Sequence, residues 1–332
     1  MWHVLWPNVS EEDTPILSIT NGVHLPSWQA PEVSALCEKY LGLDWLQKQS
    51  DEELWNCMME IPDQEFWQMR QLLKSRLIHT IQDRAQRRWT EEGATTQQIT
   101  SMGLLFDPYA LTIAFARRFT EYKRPYLVLS DVERLKRIIT NPLGPVQVIF
   151  AGKSHPADFQ YKQLLKRVYQ LTMDRGFQGR IAFVEDYDLN LARELVRGVD
   201  VWLNTPRRLQ EACGTSGMKA SINGVINLSV RDGWWDEAYN GNNGWAIDDS
   251  SESGTIEEDQ KDAESLYSLL ENEIIPLYYE RDRLGVPHRW IKVSKEAIRT
   301  VSPGFSACRM MKEYTQKMYL PSVRQAEKID NV

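Results

Sequence analysis

From about residue 110 the chain alternates short apolar runs with stretches of helical periodicity. The runs fall at 111–115, 146–151, 180–184, 199–203 and 225–229, and the helical stretches at 124–139, 157–174, 189–197 and 215–222. Strands and helices alternating at this pitch predict βαβ units and a parallel sheet, whose ligands bind outside the carboxyl ends of the strands. The first hundred residues read differently. Turn residues crowd 1–30 (Pro7, Pro15, Asn21-Gly22, Pro26, then Pro31), leaving room only for a short strand at 16–20. Helices are expected at 31–49 and 63–91. In the second, Phe66, Leu73, Leu77, Ile81 and Trp89 recur near helical spacing, Asp63 is placed to cap the start and Gly93 to end it. The polar stretch 93–101 reads as a loop. An acidic, serine-rich segment at 249–264 reads as a solvated loop leading into a helix at 262–282, with further helices at 286–299 and 307–319. No internal repeat is present. The expected fold is α/β: a mainly helical segment at 1–105, a Rossmann-like parallel sheet at 106–300, and a C-terminal helix and tail at 301–332.

Composition narrows the function. A chain of 332 residues with 42% hydrophobic and 26% charged side chains has the balance of a folded globular protein, not a disordered one. No run of 18 uncharged apolar residues exists, so no membrane-spanning helix is expected, and the first residues lack the pattern of a secretory signal. The four cysteines (37, 57, 213, 308) show neither metal-ligand spacing nor a disulfide framework, which fits a reducing cytoplasm. A net charge of −7 argues against nucleic acid as the main partner. The 12 Trp and 13 Tyr leave two readings open: sugar C–H faces stacked on aromatic rings, or simply core. Five scattered histidines and no HExxH motif argue against a metal hydrolase, and no metal ligands are assigned.

Five segments could carry chemistry. The densest is Glu211-Ala-Cys-Gly-Thr-Ser-Gly-Met-Lys219, which follows a strand and opens a helix. Gly214 and Gly217 permit close backbone approach, Thr215 and Ser216 add hydroxyls, and a helix start offers free N–H groups to phosphate. Lys219 could bear an aldehyde cofactor as an imine or contact an anion; the alternative is a capping turn followed by an exposed lysine. The second segment, Arg117-Arg118-Phe-Thr-Glu121-Tyr-Lys123-Arg124, puts four cations and one anion at a strand end. It is an anion trap or a solvated turn. Gly152-Lys153-Ser-His155-Pro156 and Glu185-Asp-Tyr187-Asp188 follow two more strands, so four polar loops would converge on one sheet edge. The fifth segment, 232–245, is rich in Gly, Asn and Trp, and either frames a sugar site or packs on itself.

The stretch from Glu211 to Lys219, with its continuation to Gly233, resembles the α-glucan (glycogen/maltodextrin) phosphorylases, most nearly their shorter bacterial and archaeal branch. Thr20-Asn-Gly-Val-His-Leu-Pro-Ser-Trp28, 117–124, 152–156 and 185–191 match in the same order, so the resemblance covers about residues 1–320. It implies the two-domain GT-B glycosyltransferase fold, with the active site between two Rossmann-like halves, and pyridoxal 5′-phosphate as cofactor. It also implies retaining cleavage of an α-1,4-glucan by inorganic phosphate to α-glucose 1-phosphate. The cofactor's phosphate acts there as a proton shuttle beside substrate phosphate.

Carried over by position, Lys219 holds the cofactor, Thr215 and Ser216 surround its phosphate, and Tyr187 lines its pocket. Arg118 and Lys123 contact substrate phosphate, Glu211 binds a glucose hydroxyl, and Cys213 and Gly214 lie beside the sugar. Cys213 stands where many members have Ser, Gly217 where Asn is common, and Asp188 where muscle-type enzymes have a basic residue. Family members carry an N-terminal domain before the Thr-Asn-Gly motif. The resemblance therefore implies a C-terminal half, with that domain as partner if supplied separately and a homo-oligomer as a further expectation. Two other readings stay open: a transferase of similar fold using a nucleotide sugar without pyridoxal phosphate, and a non-catalytic glucan-binding remnant.

Overall fold

A computed structural model describes residues 2–10, 13–14, 16–177, 179–247 and 256–324. Six strands form one sheet: β1 (Leu111–Ala116), β2 (Val146–Ala151), β3 (Ile181–Val184), β4 (Val201–Asn204), β5 (Ile226–Val230) and β6 (Gly244–Ile247). All neighbours are parallel, in the order β3-β2-β1-β4-β5-β6. That is the Rossmann order, and the direction of winding reverses between β1 and β4.

Every strand residue is buried, because helices cover both faces. Alternate side chains serve separate cores. Leu111, Ile113 and Phe115 join Val148, Phe150 and Leu203 on one face, while Ala114, Ala116, Ile149 and Trp202 lie on the other.

The helices are, in chain order, α1 (Leu25–Trp28), α2 (Pro31–Leu41), α3 (Asp63–Glu92), α4 (Thr96–Ser101), α5 (Val132–Ile139), α6 (Phe159–Thr172), α7 (Leu189–Gly198), α8 (Thr215–Ser221), α9 (Trp234–Ala238), α10 (Ile256–Leu269), α11 (Ile275–Tyr279), α12 (His288–Gly304) and α13 (Ala307–Tyr314). A π turn, Leu270–Ile274, joins α10 to α11. The long helix α3 lies on the second face against α7. Gly198 allows the approach, since a Cβ there would meet the Leu77 Cβ at 2.5 Å. Beneath it Arg70 donates to the carbonyls of Arg197 (2.6 Å), Asn223 (2.8 Å) and Val199 (2.6 Å). Lys74 meets Asp200 at 2.5 Å in a fully buried ion pair, and Asp200 also accepts the Thr112 N–H. The helical N-terminal residues are thus bolted onto the strand ends.

Six local expectations change. Residues 16–20 form no strand; the nearest pairing is the isolated Val23–Ser306 bridge just beyond them. The loop at 93–101 contains α4, begun by a capping box of Thr95 and Gln98. Helix α2 stops at Leu41, where Gly42 takes φ 98°. The stretch 124–139 is helical in full only from Val132, because Arg124 adopts φ 41° and Asp131 caps the later start. The 232–245 loop holds α9 and leads into β6, and its Trp234, Trp235 and Trp245 are buried. In this segment the aromatic abundance is core. Gly93 ends α3 at φ 67° as expected, but Asp63 is its first residue and binds Lys295 (2.5 Å) and His288 (2.7 Å) instead of capping. Within the acidic segment 249–264, residues 249–255 lie outside the described residues, as does the tail from 325. No helix among the described residues is long and apolar enough to cross a membrane.

Candidate functional site

The carboxyl edge at the β1/β4 reversal brings two loops together. The loop after β1 carries Arg117, Arg118 and Lys123, and the loop after β4 carries Glu211. Parallel pairing sets the first: Arg117 N–H donates to the Ala151 carbonyl (3.1 Å) and Phe119 N–H to the Lys153 carbonyl (3.1 Å). Gly152 is required there, since a Cβ would fall 2.0 Å from the Arg117 carbonyl oxygen. Arg124 closes the loop from inside. Wholly buried, it donates to the Thr205 and Pro206 carbonyls and pairs with Asp259 and Asp262. It is thus a structural cation, unavailable to a ligand.

The Glu211 carboxylate bridges two cations. Its Oε2 accepts from Arg117 Nη2 at 2.6 Å and Lys123 Nζ at 3.0 Å. The three side chains are only 6%, 11% and 12% exposed for Arg117, Glu211 and Lys123. Charges so far removed from water must be paired. Arg118, the next residue, points outward and is exposed. The backbone of Glu211 is held by Asp232, whose Oδ2 accepts the N–H groups of Glu211 (2.8 Å) and Gln210 (3.2 Å). Gly233 follows at φ 54°, where a Cβ would stand 2.6 Å from the Cys213 carbonyl oxygen and 2.7 Å from that of Glu211.

Beyond this clamp, Gly214 at φ 86° begins α8, with no side chain capping its first N–H groups. Thr215 and Ser216 form the first turn, and Ser216 accepts from the Trp202 indole (3.3 Å). Lys219, one turn on, has its Nζ 3.8 Å from the centroid of the Trp28 ring. It has no ion pair among the described residues, and burial holds its amine below the ordinary lysine value. Trp28 is pinned from behind, its carbonyl accepting from Asn223 (3.0 Å) and Arg197 (3.2 Å). Cys213 lies beside Asn21, and burial pushes its thiol up. The Thr20–Trp28 segment therefore flanks this edge.

Tyr187, after β3, is half-buried and donates to the Ala116 carbonyl at 3.4 Å. Desolvation raises its phenol. Asp188 caps α7 through the Leu191 N–H (2.7 Å), a structural use of that position. His155 accepts the Ala157 N–H (3.1 Å) and shapes a turn, and Lys153 is exposed.

Glu211, Lys123, Cys213, Gly214, Thr215, Ser216, Lys219 and Tyr187 thus occupy the loops and helix start at one sheet edge. Four contributors were not singled out from sequence: Arg117 as the partner of Glu211, Trp28, Asn21 and Asp232. Trp28 and Asn21 belong to the Thr20–Trp28 motif and Asp232 opens the 232–245 segment, but their contacts span long sequence separations.

This is a Rossmann-type α/β chain with paired cations, an uncapped helix start and a lysine with no ion pair among the described residues at its topological switch point, a combination suited to anionic ligands. The chain belongs to the carbohydrate phosphorylase family, whose model matches residues 9–237. Its sheet is one Rossmann-like half of the GT-B fold. Glycogen phosphorylase of Aquifex aeolicus is 50% identical over 319 residues, 96% of this chain and 45% of that protein. Maltodextrin phosphorylase of Thermococcus litoralis is 45% identical over 327 residues, 98% and 38% of the two chains. Glycogen phosphorylase of Mycobacterium bovis is 41% identical over 327 residues, 98% and 37%. The chain spans less than half the length of these relatives.

Proposed function

We propose that this chain supplies the cofactor- and phosphate-binding half of an α-glucan phosphorylase. The reaction is retaining cleavage of an α-1,4-glucan by inorganic phosphate to α-glucose 1-phosphate, in a reducing, cytoplasmic setting that its four free thiols suit. The observation that carries this reading is Lys219: an amine with no counter-ion among the described residues, 3.8 Å from the Trp28 ring, kept low by burial, one turn into an uncapped helix start. Those residues fit pyridoxal 5′-phosphate. The amine suits covalent attachment to an aldehyde, the N–H groups after Gly214 suit a phosphate, and Thr215 and Ser216 lie beside them. When bound, that group supplies a phosphate for acid–base chemistry next to substrate phosphate.

The chain's own residues do the rest. Lys123 and Arg118 neutralise incoming phosphate, and a fixed cation stabilises developing charge without reorganising. Glu211, held by Asp232, accepts a glucose hydroxyl and orients the ring. Cys213 and Gly214 bring backbone to the sugar, and Tyr187 closes the cofactor side.

The test is covalent. The chain is incubated with pyridoxal phosphate, reduced with borohydride and mapped by peptide mass spectrometry. One adduct per chain at Lys219 supports the reading. Scattered labelling, together with tight binding of a nucleoside-diphosphate glucose, would replace it with the nucleotide-sugar reading.

A further inference from the structure

The two cations that face the switch point share one carboxylate, which leaves the cluster with a single net positive charge. Arg117 and Lys123 sit on one loop and Glu211 on the other, and all three side chains are nearly buried. Both backbones are fixed. Arg117 is locked by the Ala151 carbonyl and by Gly152, and Glu211 by Asp232. The free coordinate is therefore the Glu211 side chain. Arg124, the remaining buried cation of the loop, is saturated by carbonyls and by Asp259 and Asp262.

We propose that Glu211 is an internal counter-ion that holds the anion position between Arg117 and Lys123 until a sugar hydroxyl draws it away, so that sugar and phosphate bind this edge cooperatively. The identity of the sugar rests on the phosphorylase reading above. The charge balance is simple. Phosphate near neutral pH is a mixture of monoanion and dianion, and the dianion's two charges match Arg117 and Lys123 only if Glu211 has left. With Glu211 in place, three negative charges would share two cations in a poorly solvated pocket. A carboxylate leaving that pair needs new donors, and a ring hydroxyl provides one. The assignment also makes Arg117, and not Arg118 alone, a phosphate contact.

The experiment measures binding of inorganic phosphate to the full chain by calorimetry, with melting curves for each variant. Glu211→Gln removes the competing charge and is expected to bind phosphate about tenfold more tightly. The double variant Glu211→Gln with Lys123→Met restores one net positive charge and is expected to return near wild type, which a merely structural role for Glu211 would not produce. A folded Glu211→Gln chain that binds phosphate no better than wild type overturns the proposal. If Glu211→Gln does not fold, the wild-type chain decides: saturating maltose is expected to tighten phosphate binding several-fold, and independent binding overturns the idea. Cofactor labelling at Lys219 separates the two readings. Its absence with the Glu211→Gln effect intact sinks the phosphorylase assignment and leaves the counter-ion. Its presence without that effect does the reverse.

Discussion

Lys219 Nζ rests 3.8 Å from the centre of the Trp28 indole, on residues 191 positions apart in the chain. Two effects act on the amine. The ring face attracts the ammonium, by about 0.5–2 kcal/mol for such contacts. Burial disfavours the charge, and the net direction is a lowered pKa.

That direction sets a pH dependence. The neutral amine is the nucleophile, so Lys219 should reach half its maximal labelling at lower pH than an ordinary lysine. Lys48, raised by its hydrogen bond to Asp44, is the internal reference. Because the folded chain binds this proton less tightly than the unfolded one, the Lys219 contribution to stability increases with pH between its lowered value and the ordinary one. Residue-resolved labelling across pH checks the order: Lys219 titrating with or above Lys48 would reject it. Lys219→Ala should abolish the borohydride-trapped adduct.

Trp28 fixes where that amine stands. Trp28→Ala should slow adduct formation at Lys219, while Trp28→Phe, which keeps a ring face, should retain most of the rate. Single-exponential labelling kinetics at fixed pH measure this. Equal rates in all three chains would mean the indole only packs.

The buried Lys74–Asp200 pair ties α3 to the sheet. Lys74→Met leaves Asp200 without its cation in a dry site and should cost about 3–5 kcal/mol. Urea unfolding should show the midpoint falling with little change in slope. A loss below about 1 kcal/mol would mean that water reaches Asp200.

Gly233 lets the 232–233 turn lie against the 211–213 backbone. Gly233→Ala puts a methyl 2.6 Å from the Cys213 carbonyl oxygen at a positive φ, and should destabilise by about 1–3 kcal/mol. The same change should tighten phosphate binding modestly, because Glu211 loses the fixed backbone from which it competes for Arg117 and Lys123. Calorimetry with inorganic phosphate reads the second effect separately from the melt.

Much of the sheet was legible because β1 to β5 are buried on both faces and read as unbroken apolar runs such as Leu111–Ala116. β6 was hidden because its start, Gly244, sits in a Gly- and Asn-rich stretch with turn chemistry. Gly244 is there for close approach: a Cβ would meet the Asn227 carbonyl oxygen at 2.6 Å. Helix α4 was readable from Thr95 and Gln98, but polar composition outweighed the capping pattern. The short strand at 16–20 had no neighbour to pair with, and pairing is a tertiary property.

By itself, the sequence determined the alternation that makes a parallel sheet, the loops at its carboxyl edge, and the motif that places Lys219 one turn into α8. All are local: periodicity, turn residues and spacing along one segment. It could not choose between Arg117 and Arg118. Successive residues leaving a strand point to opposite sides, so one turns inward to Glu211 and the other to solvent. Nor could it pair Trp28 with Lys219 or Asp232 with Glu211. Those partners are set by the order β3-β2-β1-β4-β5-β6 and the packing of α1 on α8, which only the folded chain brings within reach.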